Sequence, residues 1–319
     1  MKFLALLAAL AFEQMRPLRA DNAVHAAYGQ FAAYLRHLLD AGQYRHGVWA
    51  WLVAVVPLTL LVLLTDWLLA RVNGALALVF GAGVLYITVG FRRFSNYFNE
   101  INKLMRDGDL IGAREQLRQW RNVDSGELDS NAISRVTIEL GLMAAHRNVF
   151  GPVAWFLVFG PAGTLLYRMA EQLQEAWRVR TAPDAGGTSD EFARFAVRAF
   201  AVIDWVPARL TAASFAAVGN FQDAVDCWRA QGAAWADETQ GIILASGAGA
   251  LGVKLGGPLQ AAHSAHEVGS ETFDPLRPEL GAGDEADADY LSSAVGLIWR
   301  ALVMWMLLAG VVTIAHSLG

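Results

Sequence analysis

VWAWLVAVVPLTLLVLLT, residues Val48–Thr65, is a run of eighteen residues without a charge. Wound as a helix it rises about 27 Å, close to the roughly 30 Å hydrocarbon core of a bilayer. Trp49, Trp51 and Trp67 stand at its two ends. Rings with one apolar and one polar edge favour the membrane interface. Pro57 lies inside the run, which membrane helices tolerate because neighbouring groups satisfy the freed carbonyl.

The whole chain agrees with this stretch. Of its 319 residues, 55% are hydrophobic and 17% charged, against roughly a quarter charged in an ordinary soluble domain. That balance excludes a disordered chain, a collagen and a disulfide scaffold. Cys227 is the single cysteine and cannot form an internal disulfide. A net charge of −5 argues against a nucleic-acid partner. The expected fold class is an all-α integral membrane protein, a helical bundle with four to six membrane segments and a cytoplasmic helical insertion.

Ala75–Phe91 is a second uncharged run, and only Asp66–Gly74 separates it from the first, so the two predict a tight hairpin. Val149–Leu166 is a third, with Gly151-Pro152 and Gly160-Pro161 predicting a kinked or broken span. Val295–Ala315 is the last, with Arg300 near one end. Ala201–Val218 and Gly241–Pro258 are apolar but interrupted, and their crossing stays open. Lys2 followed by Phe3–Ala11 imitates a signal peptide and reads as an uncleaved short anchor. Nine basic residues, from Arg92 to Arg147, lie between Phe91 and Val149, against Arg71 alone in the hairpin turn. The longer loop is therefore expected in the cytoplasm. Basic residues in Tyr167–Phe200 conflict with simple alternation. The resulting division is 1–91 anchor and hairpin, 92–148 cytoplasmic helices, 149–258 membrane and pocket region, 259–294 acidic loop, and 295–319 last helix.

Within 92–147, Phe94, Tyr97, Phe98, Ile101, Leu104 and Met105 form one apolar helical face. Asp109 is placed to cap a second helix, and a third from Asn131 should bury Ile133, Val136, Leu140 and Met143. This region is expected to pack on itself or on the membrane surface. Gly108-Asp109 with Ala113 and Leu117 is echoed by Gly219-Asn220 with Ala224 and Trp228. That echo reads as common helix-start chemistry rather than duplication.

The candidates for chemistry are few. His263, His266 and Glu267 lack a further ligand cluster, so no metal site is expected. Asp284, Glu285, Asp287 and Asp289 read as a solvated linker. Cys227 beside Asp223 and Asp226 reads as a structural thiol. There is no P-loop and no dinucleotide fingerprint. Gly247, Gly249, Gly252, Gly256 and Gly257 suit either a phosphate cradle or close helix packing. Arg209 inside an apolar stretch should face a cavity, or pair with Asp204 or Glu139. The expected site is one polar cavity lined by Glu139, Arg168 and Arg209, with Gly256 and Gly257, for an anionic small molecule.

Four runs together resemble a known superfamily: FGPVAWF from Phe150, GPAGTLLYR from Gly160, DWVPARL from Asp204 and GALGVKLGGP from Gly249. They are similar to the CobD/CbiB proteins of cobalamin biosynthesis and to the related AmpE membrane proteins, over most of the chain. The resemblance implies a multi-pass protein of the bacterial inner membrane. In CobD/CbiB it implies joining an aminopropanol arm to adenosylcobyric acid, with ATP and magnesium. Glu139 and Pro152 match that pattern, whereas Met143, Ala144, Arg147, Gln174 and Leu244 fall on its polar positions. The start, through Glu13, lacks the early Gly-Asp-Pro. These losses point towards AmpE, linked to β-lactamase induction and cell-wall recycling. The expectation is therefore a regulatory or ligand-binding protein without synthase activity and with no assigned cofactor. The alternative is an adenosylcobinamide-phosphate synthase using ATP and magnesium. A third reading is a structural partner with a vestigial pocket. Expected partners are the lipid bilayer, an anionic ligand, and a protein partner or second copy.

Overall fold

The computed structural model describes residues 2–15, 23–121, 128–178, 191–259 and 277–318. Helices α1 (Lys2–Met15), α2 (Ala23–Leu39), α3 (Tyr44–Val72) and α4 (Gly74–Thr88) open the chain. They are followed by α5 (Phe91–Arg106), α6 (Leu110–Arg121) and α7 (Ser130–Ala145). A π-helical turn, His146–Phe150, leads into α8 (Gly151–Phe159), and then come α9 (Pro161–Arg178) and α10 (Glu191–Val218). The last elements are α11 (Phe221–Gln231), α12 (Glu238–Leu251), strands β1 (Leu255–Gly256) and β2 (Glu279–Leu280), and α13 (Ala288–Leu318). Among the described residues, four stretches are long and apolar enough to span a bilayer: Tyr44–Val72, Ser130–Phe159, Glu191–Val218 and Ala288–Ala315. The chain is an all-α integral membrane protein.

Two compact units divide the chain. The first comprises Met1–Gly90, Gly151–Pro207 and Ala309–Gly319; the second comprises Phe91–Phe150 and Ala208–Leu308. In the first, Ala50, Ala54 and Val55 of α3 pack with Tyr167, Trp177, Phe192 and Ala196. Gly47 makes this possible, because a Cβ there would collide with the Phe192 carbonyl. The opposite face of α3 exposes Trp49, Leu61, Leu64 and Trp67. A large apolar surface of this kind suits lipid rather than water. The hairpin is tighter than the sequence predicts, because α3 runs through Asp66 to Val72. Asn73 alone makes the turn: its N–H donates to the Leu69 carbonyl at 2.8 Å and its side chain caps Ala75 N at 2.8 Å. The N-terminal α1 packs on α4, and Lys2 Nζ donates to the Leu157 and Val158 carbonyls at the end of α8.

The third apolar run is placed differently from its expected bounds. Helix continues from Ser130 to Phe159, and Gly151-Pro152 does not break it. The π turn immediately before Pro152 accommodates the missing N–H, as such bulges do within longer helices. The break comes at Gly160, with φ +64°, and Pro161 opens α9, where its missing donor costs nothing.

In the second unit α7 is buried nearly all round, from Ala132 to Ala145, with only Arg135 and Leu140 partly exposed. Its neighbours explain this. Gly141 lies against Phe98 of α5, and Gly247 of α12 against Leu142. The region expected to pack on itself or on the membrane surface packs also with Ala208–Leu308, as one unit with Phe91–Phe150. Helix α12 buries every residue from Gly241 to Ala250 and ends at Gly252, with φ +68°. Its fourteen residues rise only about 21 Å, so Gly241–Pro258 forms a core helix and a turn. The other open stretch, Ala201–Val218, lies in the span-length α10.

The echoed helix starts also extend beyond capping. Asp109 accepts from Gly112 N at 2.9 Å, and Asn220 from Asp223 N at 3.3 Å. Ala113 and Ala224 are both fully buried. Each short helix is then followed by a buried one capped by an aspartate: Asp129 for α7 and Asp237 for α12. The two buried helices pack on each other.

Candidate functional site

The site is built where the β1–β2 ribbon meets α7. Leu255 pairs with Leu280 and Gly256 with Glu279, antiparallel. Glu139 projects from α7 and is only 5% exposed. One carboxylate oxygen accepts from Gly256 N at 2.7 Å, and the other pairs with the Arg277 guanidinium. Trp235 underlies that guanidinium at 5.4 Å, and its Nε1 donates to the Pro278 carbonyl at 3.2 Å. Arg135, one turn before Glu139, donates from Nη2 to the Pro258 carbonyl at 3.2 Å. A buried carboxylate is tolerated only when charge and hydrogen bonding are both supplied, and this one has both.

Gly256 and Gly257 have φ of +69° and +72°. A Cβ at Gly256 would collide with the Pro278 carbonyl. One at Gly257 would stand 3.2 Å from Glu279 Cγ and 3.3 Å from Arg135 Nη1. The remaining glycines of the run have other work. Gly247 and Gly249 let α12 approach Leu142 and the Asp223 backbone, and Gly252 ends the helix.

Glu139, Gly256 and Gly257 therefore come together. Arg168 lies in the first unit, where Nη1 bonds Glu171 Oε2 at 2.5 Å and Nε donates to the Thr88 carbonyl at 2.9 Å. Arg209 Nη2 pairs with Glu238 Oε1 at 2.7 Å, at the start of α12. The Asp204 carboxylate accepts from Tyr167 OH at 2.9 Å. The guanidinium at Glu139 is Arg277, which stands within the 259–294 region and carries no periodic signal linking it to α7. Arg135 was legible in principle, since residues four apart share a helix face.

Among the positions where the resemblance calls for polar groups, Met143, Ala144 and Leu244 are buried and apolar. Arg147 lies in the π turn, and beside it His146 Nδ1 meets Thr211 Oγ1 at 2.9 Å. The acidic stretch is less of a free linker than expected. Asp284 accepts from Tyr290 OH, Glu285 pairs with Lys254 at 3.4 Å, and Asp287 caps α13. The Cys227 thiol is buried, and burial, then Asp223 and Asp226, push its pKa above the ordinary thiol value. Among the described residues no group of three or more His, Cys, Asp or Glu side chains converges as a metal site. His263, His266 and Glu267 lie outside the described residues.

Comparison with known proteins gives one consistent family. The family model described as CobD/Cbib protein matches residues 4–280. The chain is 32% identical over 311 residues to the cobalamin biosynthesis protein CobD of Stutzerimonas stutzeri, covering 96% of each. It is 33% identical over 249 residues to the protein of the same name from Chromobacterium violaceum, covering 77% of this chain and 74% of the relative. A Brucella suis protein of that name is 26% identical over 254 residues, with 74% and 70% covered. No solved structure matches. With its model matched over most of the length and relatives this similar, the chain belongs to the CobD/CbiB protein family.

Proposed function

We propose that this chain is a multi-pass protein of the bacterial inner membrane that serves cobalamin biosynthesis, in the step joining an aminopropanol arm to adenosylcobyric acid. The observation that carries the reading is the likeness to the Stutzerimonas protein, which covers 96% of both chains. The CobD relatives favour this biosynthetic role over the regulatory, AmpE-type one.

The described residues supply a scaffold for such a site rather than a complete reaction centre. Glu139 fixes the Gly256-Gly257 turn and Arg277 against α7, which orients whatever group docks beside the ribbon. Magnesium keeps several waters and is held through one or two carboxylates together with substrate phosphates. Glu139, Glu171 and Asp204 each already face a donor, and no acidic group converges among the described residues.

The test is genetic complementation of a bacterial strain lacking its own CobD/CbiB synthase, under conditions that demand de novo cobalamin. The expected result is growth restored by the wild-type chain. Absence of growth, with the protein folded in the membrane, would turn the reading towards the AmpE-type role, which an assay of β-lactamase induction then examines.

A further inference from the structure

We propose that Arg135, beside the Gly256-Gly257 turn, is the contact for an anionic group, phosphate or carboxylate, on a small-molecule ligand. The inference rests on the biosynthetic reading only in taking that ligand to be a substrate. Within the second unit the Glu139 charge is matched by Arg277 and by the Gly256 N–H. Arg135 lies one turn away on the same face of α7, and its charge is not matched in this way. Nη2 donates to the neutral Pro258 carbonyl, and Nε is buried with no hydrogen-bond partner. Among the described residues no carboxylate lies within ion-pair distance of it. This half-buried guanidinium has a carbonyl partner at its exposed end and a buried Nε without one, and an anion would add charge-assisted bonds.

The turn lies close against Arg135. A Cβ at Gly257 would stand 3.3 Å from Arg135 Nη1, so glycine spares the guanidinium that contact. Glu279 is the neighbour that opposes an anion. Its Oε1 lies 3.6 Å from the point where a Gly257 Cβ would stand, and its side chain is exposed to solvent. The two residues thus have opposite effects: Arg135 attracts the ligand and Glu279 weakens its hold. This opposition separates a binding role from a merely structural one.

The full-length protein, purified in non-ionic detergent, is titrated with radiolabelled inorganic phosphate by equilibrium dialysis, and acetate is used as the displacing carboxylate. Saturable phosphate binding is expected. Arg135→Gln should weaken it at least about tenfold, the loss of one charge-assisted contact. Glu279→Gln should tighten it, and Arg135→Lys should fall between. Displacement by acetate at equal concentration would assign the site to carboxylates, and resistance to acetate would assign it to phosphate. No saturable binding of either anion to the wild type, or unchanged affinity in Arg135→Gln, overturns the proposal. If Arg135→Gln does not fold, unchanged affinity in both Arg135→Lys and Glu279→Gln does so instead. The biosynthetic reading fails separately: wild type that binds phosphate through Arg135 yet does not complement leaves the site standing without that role. Conversely, full complementation by Arg135→Gln with unaltered binding removes the site and leaves the role.

Discussion

Glu139 holds three parts of the chain together through one carboxylate: its own helix, the Gly256 backbone and Arg277. Truncation would remove the carboxylate paired with a guanidinium whose side chain is 7% exposed. Glu139→Ala should therefore lower unfolding stability by about 3–5 kcal/mol, the usual result of removing one partner of a buried pair. Glu139→Gln retains an acceptor for Gly256 and should lose less. Denaturant unfolding followed by tryptophan fluorescence in detergent measures both, and an unshifted midpoint for Glu139→Ala contradicts the assignment. Cys227 gives a second residue-scale prediction. Its raised pKa means that thiolate is scarcer at a given pH than in a free cysteine, so iodoacetamide should label the folded protein more slowly than the unfolded one at pH 8. Equal rates would refute this. Glu139 was legible in sequence because an acid in an apolar run demands a partner. Arg277 was not, because the partner lies 138 residues away and nothing local reports such a contact.

At the scale of elements, hydropathy found the apolar runs but misjudged their ends. Val149–Leu166 looked like a span because only its own residues were apolar. The helix actually begins at Ser130, where Ser134, Thr137 and Glu139 are buried by neighbouring protein. Polar residues buried in this way are invisible to a window that scores each residue alone. Capping, in contrast, was legible, since Asp109 bonds where a helix start requires it. The glycine-rich α12 needed the structure, because close packing and ligand binding use the same residue. Its packing role yields a paired prediction. A Cβ at Gly249 would meet the Asp223 and Ala224 backbone, which cannot swing aside, whereas Gly296 of α13 has open space around it. Gly249→Ala should lose about 1–3 kcal/mol through overpacking, and Gly296→Ala should be neutral. Thermal melting compares them, and equal melting temperatures would contradict the α11–α12 packing.

Each unit exposes apolar side chains suited to lipid: Leu61, Leu64 and Trp67 on α3 with Val202 and Trp205 on α10 in the first, and Val303 and Leu307 on α13 in the second. Composition alone announced a membrane protein, but the two-unit division did not follow from it. The units are discontinuous in sequence, so no linker composition could reveal them. Orientation is the next expectation to examine. The basic residues from Arg92 to Arg121, ahead of the span-length stretch Ser130–Phe159, predict that this part of the chain faces the cytoplasm. A phosphatase reporter inserted at 124–127, outside the described residues, should be inactive there, and periplasmic activity would reverse the topology. The central claim, a role in cobalamin biosynthesis, is tested most directly by incubating membranes bearing the chain with adenosylcobyric acid, an aminopropanol donor, ATP and magnesium, and following the corrinoid by mass spectrometry. The account predicts the mass of the aminopropanol amide, absent from membranes without the chain; unchanged adenosylcobyric acid in the presence of folded, inserted protein would contradict it.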